Sequence, residues 1–308
     1  MSKEVKSSAP ALLQTVDVVS NKNKNSVSLL SGVVRVLYWE SILGDSVKAS
    51  VVFTDSGSAI KKKGKKVSAV EGLPIIGEEQ VSLKFTDNKD HTIKFADNTS
   101  LYVNSITPIP TDTQATSKAY ELELVSKGFI DNEKERVRYC SADQISEQVK
   151  KILKDVLKSE KVKDEDIEDT KNPIQYIGKN RKPFYVINDL SKKGVSAGSQ
   201  ELGFSAGYFF YETSEGYKFK SIDTLLSQQK KKSIIYNETP NSTGMPTEYD
   251  IKALTLDVDN RVNVQKKLAL GAYNIRSISI NPFDTTYETK IIDAHENEEK
   301  LELGGKGL

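Results

Sequence analysis

Val81-Ser82-Leu83-Lys84-Phe85 decides the fold class, because apolar and polar residues alternate strictly along it. In an extended chain that alternation sends Val81, Leu83 and Phe85 to one face, which must be buried, and leaves Ser82 and Lys84 on the other. Similar stretches flank it. Upstream, Val33, Val34, Val36, Leu37, Tyr38 and Trp39 form a β-branched and aromatic run. Val47 to Phe53 is a second strand, and it stops at the turn composition Thr54-Asp55-Ser56-Gly57-Ser58. Downstream, His91 to Phe95, Ser100 to Ile106 and Tyr120 to Val125 continue the series, the last with Tyr120, Leu122 and Leu124 on one side. Short strands separated by Gly, Asn and Asp turns predict a small barrel or sandwich over residues 26–125.

The periodicity changes after residue 126. Ser141-Ala142-Asp143-Gln144 reads as a capping box, followed by Ile145, Val149, Ile152 and Val156 at helical spacing. This predicts a helix over about 142–158. The acidic stretch Asp164, Glu165, Asp166, Glu168 and Asp169 reads as a solvated linker. A second helix is expected from Pro183, with Phe184, Ile187 and Leu190 on its buried side and Gly194 closing it. Strands return in Tyr208–Glu212 and Tyr217–Lys220 around the turn Thr213-Ser214-Glu215-Gly216. Ser221 caps a short helix, and Ser233–Asn237, Tyr249–Val258 and Ser277–Asn281 are further strand candidates. Residues 1–25 read as a flexible arm in which Pro10 to Val19 could form a short strand, and the acidic, Gly-rich end from His295 reads as frayed. The fold class is α+β and mainly β, with β regions on either side of a helix-containing segment over 126–205.

Composition narrows the function classes. The 44 Lys and Arg nearly cancel the 43 Asp and Glu, so a net charge of +1 gives no global reason for a nucleic-acid or anionic-membrane partner. A single cysteine, Cys140, forbids an intrachain disulfide and fits a reducing cytosol. No apolar run approaches the roughly 18–20 residues that span a bilayer, and the N-terminus lacks a secretory signal.

The chemistry of a catalyst is missing from the sequence. His91 lies in the turn Asp87-Asn88-Lys89-Asp90-His91 and His295 in an acidic tail, and both read as surface residues. Together with Cys140, which reads as a small buried residue, they fall short of the four ligands of a structural zinc site. There is no phosphate-binding glycine loop. The basic run Lys61–Lys66 lacks interleaved aromatics, and both it and Lys230–Lys232 read first as solvated loops and second as contacts to an acidic partner surface. No catalytic residue, metal or cofactor is expected.

Three stretches in register carry a resemblance. They are Leu73-Pro74-Ile75-Ile76-Gly77-Glu78-Glu79, with Tyr38–Ile42 and Val51–Asp55 before it; Ile174–Phe184; and Phe209-Phe210-Tyr211 running on to Asp223. In this order and spacing they resemble the baseplate hub subunit of contractile-tailed, T4-like bacteriophages, and the N-terminal half of type VI secretion spike proteins. The resemblance covers roughly residues 26–235. It implies two tube-like β-barrels, 26–125 and 206–308, separated by the 126–205 segment, and a homotrimer in which six similar barrels meet a sixfold tail tube. It further implies a virion protein of the tail baseplate, assembled in the host cytoplasm without membrane insertion. Its partners would be its own copies, the central spike, the tail tube or tube-initiator proteins, and the surrounding wedge proteins, with DNA only passing through the bore.

Under that resemblance the candidate contact residues are Trp39, Leu73, Pro74, Ile75, Ile76, Phe209, Phe210 and Tyr211. Trp39, the only tryptophan, reads first as core and second as interface. The Leu73–Ile76 run suits either a core strand or an edge facing a neighbour. Phe209, Phe210 and Tyr211 put aromatics on both faces of one strand, so one face must meet something besides the local core. Two other readings are a spike-associated cell-wall hydrolase, which needs a clustered acid pair, and a carbohydrate-binding β-module, which needs exposed aromatics around a groove.

Overall fold

The computed structural model describes residues 12–22, 24–55, 57, 60–62, 65–86, 92–110, 117–198, 207–230, 233–236, 251–253, 255–257, 264–265 and 274–293. His91, His295 and the chain end lie outside the described residues. The molecule divides into two units, one of Met1–Gly198 with Ser205–Ile222 and one of Ser199–Phe204 with Asp223–Leu308.

The first unit begins with an antiparallel eight-stranded sheet. Its strands are β1 (Leu12–Val19), β2 (Ser26–Ser28), β3 (Val33–Trp39), β4 (Lys48–Asp55), β7 (Gln80–Thr86), β8 (Thr92–Phe95), β9 (Leu101–Ile109) and β10 (Lys118–Ser126). A separate small hairpin, β5 (Ile60–Lys62) and β6 (Lys65–Val67), and a short helix α1 (Ala69–Gly72) lie between β4 and β7. The sheet runs β2-β1-β7-β9-β10-β4-β3, with β8 pairing to β7 beside this path. Strand β1 pairs with β7 from Leu12↔Thr86 to Val19↔Gln80, so from Leu12 onward the expected N-terminal arm is part of the sheet. The reason is the alternation of Val16 and Val18, which places two apolar side chains on the buried face.

Distance requires this sheet to curl. Six neighbour steps separate β2 from β3, about 29 Å if the sheet were flat. Five residues of chain, Ser28 to Val33, span at most about 18 Å. The connection between them, which includes a single 3₁₀ turn at Leu30–Gly32, touches both flanks. Leu29 N–H donates to the Val16 carbonyl of β1 at 2.8 Å, and Thr54 Oγ1 of β4 donates to the Gly32 carbonyl at 3.3 Å. Gly32 is needed there, because a Cβ would sit 2.4 Å from the Thr54 carbonyl oxygen. Inside the curl, the Tyr38 ring of β3 meets Phe85 of β7 at 5.9 Å and Phe95 of β8 at 5.6 Å. No ladder joins β3 to β8 or β2 among the described residues, so hydrogen bonding leaves the path open while side chains fill the core.

That core follows the two-residue period. Val47, Ala49, Val51 and Phe53, then Val81 and Leu83, Leu101 and Val103, and Leu122 and Leu124 all turn inward.

A second core lies in the same unit. It is built from α2 (Lys127–Lys134), α3 (Ile145–Lys151), which continues as a π-helical turn over Ile152–Val156, α4 (Pro183–Ser191), and the hairpin of β13 (Tyr208–Thr213) and β14 (Gly216–Ser221). A short pair, β11 (Cys140–Ser141) and β12 (Tyr176–Ile177), borders it. Ile145, Val149, Ile152, Phe184, Ile187, Leu190, Phe210 and Phe219 pack together. Three sequence expectations change here. Ser141 is in a strand and bonds Asp143, so the capping box does not form; the distant Thr170 Oγ1 accepts from Ser146 N–H instead, at 3.0 Å. Asp166 is buried and receives Lys218 Nζ at 2.8 Å, so the acidic stretch is partly packed rather than a solvated linker. Cys140 is exposed on its two-residue strand rather than buried.

The hairpin β13–β14 packs against helices of this core, through Phe184–Phe210 and Phe184–Tyr217 ring contacts, and does not belong with the chain after residue 222. The second unit holds most of α5 (Ile222–Leu226), the parallel pair β15 (Ile234–Tyr236) and β16 (Ile251–Ala253), and the antiparallel hairpin β17 (Asn274–Ile280) and β18 (Tyr287–Asp293). A second closed barrel over 206–308 is not formed by the ladders among the described residues.

Candidate assembly surface

Strand β3 ends the sheet path, with β4 on one edge and no ladder partner on the other among the described residues. Its run is apolar on both faces, so burial of Val36 and Tyr38 toward the core leaves Val34, Leu37 and Trp39 outside. Trp39 is 51% exposed, which overturns its first reading as a core residue and leaves it on the surface. Ile42 and Leu43, in the turn that follows, are exposed beside it in sequence. Natural edge strands are usually blunted by charges or proline, and β3 carries only Arg35.

The ladder register carries this face across three strands. Leu37 lies opposite Ser50 of β4, which lies opposite Glu123 of β10; Arg35 aligns in the same way with Val52 and Glu121. The face holds a groove of about 400 Å³ lined by Trp39, Lys48, Ser50, Glu121, Glu123 and Phe129, among others. The groove is mixed in character. Ser50 Oγ donates to Glu121 at 2.5 Å, Ser105 Oγ donates to Glu123 at 2.7 Å, and Lys48 Nζ sits 5.4 Å from the Phe129 ring centroid.

The remaining expected contact residues divide. Leu73 and Ile75 are buried in the sheet core, so they are packing residues and not a surface. The chain then reverses. Buried Glu79 accepts N–H bonds from Ile76 and Gly77, both at 2.8 Å, and Gly77 takes a φ of +115°. This clamp turns Ile76 outward, 67% exposed, with Pro74 half-buried. On β13, Phe210 points into the second core, and its ring lies 5.7 Å from that of Tyr217. Phe209 and Tyr211 occupy the other face, half-buried. The Tyr211 hydroxyl has its pKa raised, first by burial and further by the carboxylates of Asp166 and Glu40, with Lys218 opposing.

One group that the sequence did not single out joins the sheet to the helical core. Glu212 of β13 is fully buried; its Oε2 accepts from Val47 N–H at 3.0 Å and its Oε1 from Lys161 Nζ at 3.2 Å. Burial raises the Glu212 pKa, against the opposing charge of Lys161 and the Val47 N–H. Only the buried position on an alternating strand, Tyr208, Phe210, Glu212, could have flagged it. No cluster of His, Cys, Asp and Glu suited to a metal is present among the described residues, nor is any described helix long and apolar enough to cross a membrane.

No protein-family model matches the chain, and no curated protein matches it. Three solved structures align with it at low identity. A tail protein from Neisseria meningitidis aligns with 74% of this chain at 8% identity and a TM-score of 0.44. The prophage tail protein gp18 from Listeria monocytogenes aligns with 94% at 9% identity and a TM-score of 0.46. The E. coli c3393 protein, a type VI secretion component described as similar to the T4 tail proteins gp27 and gp5, aligns with 70% at 12% identity and a TM-score of 0.35. The chain spans 56%, 70% and 47% of these three proteins, respectively.

Proposed function

We propose that the chain is a structural subunit of a phage tail baseplate hub. Three copies form a pseudo-sixfold ring that joins the tail tube to the central spike and leaves a bore for DNA. The observation that carries this reading is the unpaired apolar edge at β3, with Val34, Leu37 and Trp39 exposed on a strand of a curled sheet. Such an edge is a template for contact with another chain. The three stretches that resemble hub subunits add to it: Leu73–Glu79, Ile174–Phe184 and Phe209–Asp223. The clamp at Glu79, the packed second core and the buried Glu212 bond give the rigidity that a ring wall needs. In this reading the work is architectural rather than catalytic. Partners are the other two copies, the spike, the tube or its initiators, and the wedge proteins of the virion.

The test is the mass of the purified chain by light scattering over a concentration series, alone and with its spike protein. A mass of three copies in either condition is the expected result. A monomer in both contradicts the ring.

A further inference from the structure

A cleft of about 370 Å³ opens between the sheet and the helical core of the first unit. Strands β7 and β9 line it with Gln80 and Tyr102, α2 with Gly128 and Asp131, and β14 with Tyr217. Tyr217 is 1% exposed, and its hydroxyl lies against Gly128, where a Cβ would come within 1.6 Å of Oη. Glycine at 128 is what lets the hydroxyl reach this wall. Ser126 Oγ stands near both that hydroxyl and Glu212, yet neither Ser126 Oγ nor Tyr217 Oη completes a hydrogen bond among the described residues. A buried hydroxyl without a partner lowers stability relative to an apolar group of the same shape, and phenylalanine has that shape. A polar group that works against the fold in this way fits a binding role.

The inner charges of the cleft come as opposed neighbours. Lys161 bonds Glu212, and burial raises the Asp131 pKa while Lys127, one turn before it on α2, opposes the rise. An ion of either sign would meet its like beside its partner. Asp97, Lys158 and Glu160 stand exposed at the rim, where charges count for little in water, and Glu160 already accepts from Asn98 Nδ2 at 2.6 Å. The ligand that suits this lining is therefore uncharged.

The hydrogen-bonding groups narrow it further. Gln80 Nε2 is committed to the Asp97 carbonyl and to Ser100 Oγ, both at 2.9 Å, which leaves Oε1 as an acceptor. The Asp131 carboxylate adds acceptors and Tyr217 Oη a donor, while Tyr102 and Leu157 add apolar surface. A sugar ring matches this set, because adjacent hydroxyls both donate and accept on an uncharged frame with apolar C–H faces. We propose that the cleft binds a neutral saccharide, with Tyr217 Oη donating to one ring hydroxyl and Asp131 and Gln80 Oε1 accepting from its neighbours. The site lies within one chain, so it stands or falls apart from the ring.

The experiment is calorimetric titration of the full-length chain with the methyl glycosides of glucose, galactose and N-acetylglucosamine. Saturable binding of at least one is expected, weakened about tenfold by Tyr217→Phe and by Asp131→Asn. Denaturant unfolding of Tyr217→Phe is measured in parallel, and its midpoint should be unchanged or higher, since no internal bond is lost. No saturable binding of any of the three glycosides overturns the inference. Equal binding by Tyr217→Phe does the same, and a lowered unfolding midpoint in that variant would assign the hydroxyl to the fold instead. Tighter binding of triglycine, a zwitterionic peptide, than of every glycoside would give the cleft to a peptide and also overturn the inference.

Discussion

The curled sheet and the helical core beside it bury similar kinds of residue by different means. In the sheet every inward position follows a two-residue period, and Val81 and Leu83 announce it from five residues of sequence. In the helical core, the supports come from far along the chain. Asn132 Oδ1 accepts from Phe184 N–H at the start of α4 at 2.8 Å, across 52 residues, and Thr170 serves Ser146 across 24. The difference shows that local pattern suffices where one face is buried, and that a packed junction of helices and a hairpin needs tertiary partners that pattern does not carry.

The largest expected effect comes from opening either core. Phe210→Ala and Leu83→Ala should each cost about 3–5 kcal/mol in denaturant unfolding. If the two cores form one cooperative unit, both variants move a single transition. If Leu83→Ala moves one transition and Phe210→Ala another, the two regions fold separately.

The junction comes next. Lys161→Met leaves Glu212 buried without its cation, and should cost about 3 kcal/mol at neutral pH. The folded pKa of Glu212 is raised above its unfolded value, so its contribution is most favourable at low pH and is lost as pH rises through the folded pKa. Without Lys161 that pKa rises further. The variant should therefore regain part of its deficit on acidification from neutral pH, measured against the native chain. A deficit that grows on acidification would show that the charge of Glu212 is not what Lys161 supports.

Smaller still is Asn132→Ala, which orphans the buried Phe184 N–H and should cost about 1–2 kcal/mol. A change of the same size in the exposed turn at Asn180 would show that the remote cap carries no special weight.

Much of the sheet was readable from sequence, and the limits have physical causes. All the main strands from Val33 to Ser126 follow apolar runs, but strand order does not, because β1 pairs with β7 more than sixty residues away. The helices α3 and α4 were readable from their stripes; their caps were not. At the candidate surface, β3 is apolar at six of seven positions, so the period cannot say which face turns in, and Trp39 was assigned inward. Phe209, Phe210 and Tyr211 pose the same ambiguity, which packing against Phe184 resolves for Phe210 alone. Leu73–Ile76 divides because Glu79 reverses the chain after Ile75, a clamp that four apolar residues in a row do not reveal.

Trp39→Ser sits at the bottom of the stability order, within about 0.5 kcal/mol for a surface position, and at the top for assembly. Light scattering of the native chain and Trp39→Ser, at equal concentration, each alone and with the spike protein, and with unfolding measured in parallel, tests the assembly surface most directly. A three-copy native particle, a monomeric variant and unchanged unfolding are predicted. Equal masses for the two proteins would contradict the placement of the contact at β3.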